Sequence, residues 1–294
     1  MASIHIADRC LCCGGEQLSA FPAVLMPFVA HRALGWQPVR IAEDWQMAHL
    51  QTGIAYSVCN TLYCRDCHFV FLDMRFDGEA MANLYRDYRG DEYVALRDHY
   101  EPGYAQRNAG LLDGMGYVDK VEDFIGGVAP GIATVLDYGG DTGINSPFRH
   151  RAEVFVYDIS GCEVVDGARR LSRDELRRGA YDLIVLSNVL EHDPDPERLL
   201  REVCRYMDGG THLYLEVPAE QLFMRFGEGM DAARNKHHWH EHINFFTRPS
   251  LQRLLARCGL AALASATLVI DEARPNLQVV GVLCRLVGGG AGNG

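Results

Sequence analysis

Apolar positions in this chain fall into short blocks set off by glycine, proline and acidic residues, and the spacing within the blocks predicts the elements. From residue 131 on, strands are expected at about 133–137, 153–157, 163–166, 181–187, 211–217, 261–270 and 277–285, with helical spacing at about 195–206 and 249–258. Strands alternating with helices build a mainly parallel sheet covered on both faces. The last two strands are joined only by Asp271-Glu-Ala-Arg-Pro275-Asn, too short for a parallel crossover, so they are expected to pair antiparallel.

Upstream the pattern changes. Asp77 to Tyr88 reads as a helix capped by Asp77, with Met81, Leu84, Tyr85 and Tyr88 at helical spacing. A longer helix is expected over about 105–125, stopped by Gly126-Gly127 and Pro130-Gly131. Five tyrosines lie between Tyr85 and Tyr104. Such aromatics mostly pack helices, but a position just before the sheet also suits a lid, with Arg89 and Arg107 as candidate anion contacts. The chain thus divides into an amino-terminal module (1–75), a helical bridge (76–130), a sheet domain (131–287) and a flexible glycine-rich tail (288–294).

The sheet domain opens on Val135-Leu-Asp137-Tyr-Gly139-Gly140-Asp141-Thr-Gly143, a strand running into a loop where backbone must approach something closely. In open α/β sheets the ligand sits just beyond the carboxyl ends of the strands. The next strand ends in Asp158-Ile159, and an acidic residue there suits a ribose diol. Ser146-Pro147 reads as a helix start whose amides would hold a carboxylate. Ser187-Asn188-Val189 follows the fourth strand on the same edge.

With Leu136, Asp137, Gly139 and Gly143 in a Leu-Asp-x-Gly-x-Gly-x-Gly frame, the chain resembles the class I S-adenosylmethionine-dependent methyltransferases. Asp141 replaces the middle glycine, and aspartate is one of the few residues that tolerates a left-handed backbone. The resemblance implies an α/β fold: a Rossmann-like seven-stranded, mostly parallel sheet with an antiparallel last strand. It also implies S-adenosyl-L-methionine as cofactor, held by Asp137, Gly139, Gly140, Asp141, Gly143, Asp158, Ile159, Ser187, Asn188 and Val189.

Ten cysteines raise the question of metal or disulfides. Met1 to Cys10 shows no basic stretch followed by an apolar one, so no signal peptide is expected, and a reducing compartment disfavours disulfides. Cys10 and Cys13 form one Cys-x-x-Cys pair on a turn with Gly14-Gly15; Cys64 and Cys67 form the second. Two such pairs suit a tetrahedral, structural Zn²⁺, with Cys12 and Cys59 as possible substitutes. This would pin a small zinc-binding β module at the amino terminus.

The densest reactive stretch is Lys236-His237-His238-Trp239-His240-Glu241-His242-Ile-Asn244-Phe-Phe-Thr247, ahead of a helix capped by Thr247. A neutral histidine near pH 7 suits proton abstraction. His-Glu-His followed by two aromatics and a hydroxyl residue resembles the loop of zinc-containing sugar C-methyltransferases, and so does the order of cysteine pairs, glycine loop and histidine loop. Carried over by position, that resemblance implies His242 as general base with His240 and Glu241 beside it; Trp239 stands where that family has tyrosine. His192, after Glu191, is a further catalytic candidate, although a helix-start role suits it too. The histidine loop also admits two plainer roles, loop anchoring or a second metal site, but it lacks a helical His-x-x-x-His spacing.

Composition narrows the partners. The formal net charge is −11 with no Lys- or Arg-rich run, which argues against a nucleic-acid backbone. The apolar segment Leu18 to Trp36 is broken by Pro22, Pro27, His31 and Arg32, which argues against a membrane. The expectation is a cytoplasmic protein, a homodimer being possible, that methylates the carbon or oxygen of a small-molecule substrate: a sugar, glycan precursor or secondary metabolite. The alternatives are a protein or RNA methyltransferase whose zinc module docks a macromolecule, and a non-catalytic cofactor-binding scaffold.

Overall fold

The computed structural model describes residues 3–41, 53–111 and 116–288. The amino-terminal part supplies β1 (Ile4–Ile6), β2 (Leu18–Leu25), α1 (Pro27–Leu34), β3 (Val39–Ile41), β4 (Gly53–Ala55), β5 (Ser57–Cys64), β6 (Val70–Leu72) and β7 (Met74–Phe76). Helices α2 (Gly78–Tyr85), α3 (Asp91–Tyr100), α4 (Tyr104–Leu111) and α5 (Val118–Val128) follow. The next segment holds β8 (Thr134–Tyr138), β9 (Glu153–Tyr157), β10 (Ala168–Arg170), β11 (Leu183–Ser187), α6 (Pro196–Cys204) and β12 (His212–Pro218). Last come α7 (Gln221–Phe226), α8 (Met230–Asn235), β13 (His238–Trp239), β14 (Asn244–Phe245), α9 (Arg248–Arg257), β15 (Leu260–Val269) and β16 (Gln278–Leu286).

The main sheet has the order β10-β9-β8-β11-β12-β16-β15. The first five strands run parallel, and β16 is antiparallel to both of its neighbours. Its central strands are largely apolar, as in Leu183 to Leu186, because both faces are covered. Leu200, Val203, Leu251 and Leu254 of α6 and α9 pack on Leu136, Ile184 and Leu186. Val121 and Ile125 of α5 share the other core with Val135, Leu183 and Val185. Asp195 caps α6 by accepting the Arg198 amide at 3.0 Å, and Thr247 caps α9 in a reciprocal pair with Ser250.

Three expectations need correction. No strand forms at 163–166, where Val165 turns its amide to the Thr142 carbonyl at 2.9 Å and so backs the glycine loop; the third parallel strand is Ala168–Arg170, paired with β9. The single helix over 105–125 is instead α4 and α5, with Gly116 and Tyr117 outside both and 112–115 outside the described residues. Ser146-Pro147 opens no helix: Ser146 is buried with its hydroxyl on Asp137 Oδ2, and Phe148 takes φ 65°. The expected tail, past Gly288, lies outside the described residues. Leu18 to Trp36 divides between β2 and α1, and no described helix is long and apolar enough to cross a membrane.

A second sheet, ordered β13-β2-β5-β6-β14, joins distant parts of the chain. Its two outer strands come from the histidine segment: His238 pairs with Val24, and Asn244 with Phe71. Trp239, on the first of them, is fully buried, its indole N–H donating to Thr61 Oγ1 at 2.8 Å. Beneath β14 lies Arg75. Its guanidinium donates to the carbonyls of Leu72, Pro194, Asp193 and Ile243 and to Asn244 Oδ1. The Asn244 amide in turn donates to the carbonyls of Leu190 (2.8 Å) and Asp193 (2.7 Å). The loop after β11 and the histidine segment are thereby fastened together. A buried acceptor left without its donor costs about 1–3 kcal/mol, so Arg75→Ala should lower stability by more than ~3 kcal/mol, read as a fall in the urea midpoint; an unmoved midpoint would show that the loops hold without it.

Candidate active site

The strand order reverses between β8 and β11, and such a switch point opens a crevice at the carboxyl edge of the sheet. The cleft there has a volume of ≈ 1620 Å³. Single-ligand pockets run to roughly 300–1,000 Å³, so cofactor and acceptor fit together. One end is the glycine loop. Gly139 has φ +87°, and a Cβ built on it would lie 2.6 Å from Val189 Cγ2, so the loops after β8 and β11 touch only because no side chain intervenes. Asp141 does take the left-handed backbone, at φ 53°. Its amide donates to Asp158 Oδ2 at 2.9 Å, while Ser160 N–H meets Asp158 Oδ1 at 2.7 Å.

The glycine-loop end is acidic. Burial pushes the Asp137 carboxyl up to about 7 in spite of the Ser146 hydroxyl, and its Oδ1 has no hydrogen-bond partner. Asp141 Oδ1 is also unpartnered, and Arg89 Nη1 stands 3.8 Å from Asp141 Oδ2. Ser187 and Asn188, the latter at φ 54°, are held by Glu216, which is fully buried on β12. Glu216 accepts from Ser187 Oγ (2.8 Å), Asn188 Nδ2 (3.0 Å), Tyr117 OH (2.5 Å) and Tyr214 OH (2.7 Å). A glycine-lined cradle beside unpartnered carboxyl oxygens fits a cationic, adenosine-bearing cofactor.

The opposite wall carries the histidines. His192 Nδ1 lies 3.1 Å from the Glu241 carbonyl and 2.9 Å from Tyr85 OH. A carbonyl only accepts, so Nδ1 bears the hydrogen and Nε2 is left as an acceptor. Burial, reinforced by His242, holds His192 well below the ordinary imidazole range, hence neutral. The His242 ring meets it edge to face at 4.6 Å and is 41% exposed to the cleft. Burial pulls the His242 pKa down, but Glu220, whose Oε1 is 3.5 Å from Nδ1, and Glu191 outweigh it and raise it. Glu191 is itself pushed up to about 8 by burial.

The candidate residues do not all converge. Asp137, Gly139, Gly140, Asp141, Asp158, Ile159, Ser187, Asn188, Val189, His192, Glu241 and His242 line the cleft. Gly143 closes the loop against β9, where a Cβ would lie 2.8 Å from Val156 Cγ2. His240 faces away: Nδ1 accepts the Glu241 amide at 2.8 Å, Nε2 meets Glu101, and the ring stacks on Phe28. Glu241 is occupied by Arg97 and Tyr93. Of the tyrosines, Tyr85, Tyr88 and Tyr104 reach the cleft together with Arg89, whereas Arg107 does not. Glu216, Glu220 and Glu191 escaped the sequence reading as site residues. Glu216 left a signal, a lone acid inside the apolar run Leu213-Tyr-Leu-Glu-Val.

Cys10, Cys13, Cys64 and Cys67 bring their sulfurs within 4.8 Å of one another, with Cys10–Cys67 and Cys13–Cys64 both at 3.5 Å. Tetrahedral Zn–S bonds of about 2.3 Å would space the sulfurs ~3.8 Å apart, so the cluster is compatible with zinc. Cys12 is buried in the core behind it, and Cys59 is not part of the group. A Cβ on Gly15 would lie 2.2 Å from Oδ2 of the exposed Asp66 and 3.2 Å from Cys13 Sγ.

The sheet order and the glycine-floored cleft define an α/β protein built to hold a nucleoside-bearing cofactor. Residues 106–265, more than half of the chain, match a family described as a methyltransferase domain, and the chain belongs to it. It is an S-adenosylmethionine-dependent methyltransferase. No curated protein matches it. Among solved structures it is similar to the 1,6-didemethyltoxoflavin-N1-methyltransferase of Burkholderia thailandensis, bound to 1,6-didemethyltoxoflavin and S-adenosylhomocysteine (16% identity, 66% of this chain, 89% of that one, TM-score 0.46). It is also similar to a SAM-dependent methyltransferase of Leishmania major (13% identity, 60% and 76%, TM-score 0.44). A third is a SAM-dependent methyltransferase of Methanosarcina mazei (14% identity, 56% and 97%, TM-score 0.42).

Gly139→Ala should abolish S-adenosylhomocysteine binding in calorimetry, through the Val189 clash and the strained φ. Adding Val189→Ala should restore binding to within about tenfold of wild type, the residue being the 1–2 kcal/mol of a left-handed alanine. No recovery in the double variant would place the defect elsewhere.

Proposed function

We propose that the protein transfers the methyl group of S-adenosyl-L-methionine to a small-molecule acceptor, a sugar, glycan precursor or secondary metabolite, at carbon or oxygen, with His242 as general base. The observation that carries this is the position of His242: its ring opens into the same cleft as the glycine loop while Nδ1 lies 3.5 Å from Glu220. The cofactor supplies an electrophilic methyl group, and an attacking oxygen or carbon must shed a proton. The neutral His192 meets the His242 ring edge to face, and Glu220 keeps the charged form of His242 acceptable once that proton arrives. Glu241 supports the wall rather than the reaction, being fixed by Arg97 at 2.6 Å. Asp158 keeps lone pairs for the ribose hydroxyls while bracing Asp141. A cleft of ≈ 1620 Å³ and a net charge of −11 favour a small acceptor over nucleic acid.

The cysteine cluster is read as a structural zinc site: four thiolates leave no open position for catalysis. It packs into the same core as Phe69, Phe246 and Leu251, so metal there would brace the helix that follows the histidine segment. His242→Ala should cut turnover by about 10²–10⁴-fold while S-adenosylhomocysteine still binds with undiminished heat. Unchanged turnover removes His242 from the reaction. Cys13→Ala should purify without its zinc and melt at lower temperature; full zinc content in that variant would refute the cage.

A further inference from the structure

We propose that Glu191, His192 and His242 form a second metal site, made of residues outside the cysteine cluster, that takes a divalent transition ion from the cleft. One ligand atom from each of the three lies within 4.8 Å of the others. The strongest observation is Glu191. Its side chain is completely buried, and neither carboxyl oxygen has a hydrogen-bond partner. A carboxyl group in that state calls for a cation or a proton. Glu220 Oε1 makes no hydrogen bond either and lies 3.5 Å from His242 Nδ1.

The imidazoles are already arranged as metal-bound histidines usually are, with one nitrogen engaged by an outer oxygen. His192 spends Nδ1 on the Glu241 carbonyl and Tyr85 OH, which turns Nε2 toward Glu191 Oε1 at 3.9 Å. His242 has a carboxylate, Glu220, at 3.5 Å from Nδ1. Two imidazoles and one carboxylate suit Zn²⁺, Co²⁺ or Fe²⁺. They do not suit Mg²⁺ or Ca²⁺, which take oxygen ligands. The His242 side is open, so water or an acceptor oxygen would complete the coordination. Spacing within the histidine loop does not reveal this site, because two of its three ligands come from the loop after β11.

An ion on His242 occupies the lone pair that would receive a proton, so metal binding and service as a base are exclusive states of one ring. The site itself does not depend on the base assignment. The test is titration of the purified full-length chain, dialysed free of loosely held metal, with Co²⁺ alone. The expected result, on a chain whose cysteine cluster carries its zinc, is one equivalent of cobalt taken up with d–d absorption and no thiolate-to-metal charge transfer; on a chain whose cluster is empty, that equivalent comes in addition to one that shows such charge transfer. Glu191→Gln and, separately, His242→Ala should lose that equivalent and still bind S-adenosylhomocysteine, which checks folding. Absence of uptake by the wild-type chain, uptake only with thiolate charge transfer, or undiminished uptake by either folded variant would overturn the proposal. The wild-type result decides even if a variant fails to fold.

Discussion

Arg75 carries a positive charge to a place with little water and no carboxylate contact, and its donors are met by four backbone carbonyls and one side-chain amide. Burial lowers its pKa to about 10, still high enough to keep the guanidinium charged at neutral pH. Five N–H groups in a rigid fork can satisfy that many acceptors only if those acceptors are held at fixed positions. Two of them, Asp193 and Pro194, follow His192 directly, and a third, Ile243, follows His242. The distance between the two imidazoles is therefore set by an arginine of the amino-terminal strands. Asn244 repeats the fastening from the other side.

The cleft separates its charges by depth. At the glycine-loop end, Asp137 and Asp141 sit close to glycine backbone, each with one carboxyl oxygen that accepts no hydrogen bond. Glu216, by contrast, is saturated by two tyrosines, a serine and an asparagine. The first kind of carboxyl favours a cationic ligand; the second fixes backbone in a sparsely populated conformation at Asn188. Glu191 belongs with the first group although it lies on the histidine wall.

The sheet was legible because buried parallel strands are written as continuous apolar runs, as in Leu183 to Leu186, and the glycine loop because Gly139 and Asp141 do what only those residue types can. Short elements were less so. Ala168 to Arg170 is too polar to announce a strand, yet it pairs with β9, while Val165 gives its amide to the glycine loop. The Cys-x-x-Cys pairs could be matched by spacing, since ligand geometry is local. The histidine wall could not: His192 and His242 meet through Arg75, Asn244 and Glu241, whose side chains carry no periodic signal. His240 stands two residues from His242 in sequence, yet both lie in the turn between β13 and β14, where His240 meets Phe28 and Glu101 instead of the cleft.

The second sheet has a consequence for the order of assembly. Strands β2 and β6 acquire their outer partners from residues 238–245, and Trp239 meets Thr61 across a sequence separation of 178 residues. During synthesis the amino-terminal strands emerge with both outer edges bare, and they stay bare until nearly the whole polypeptide has been made. Unpaired strand edges invite pairing with other chains. A nascent molecule of this protein is thus more exposed to self-association than its finished form, and the histidine segment doubles as the late-arriving clasp that ends the exposure.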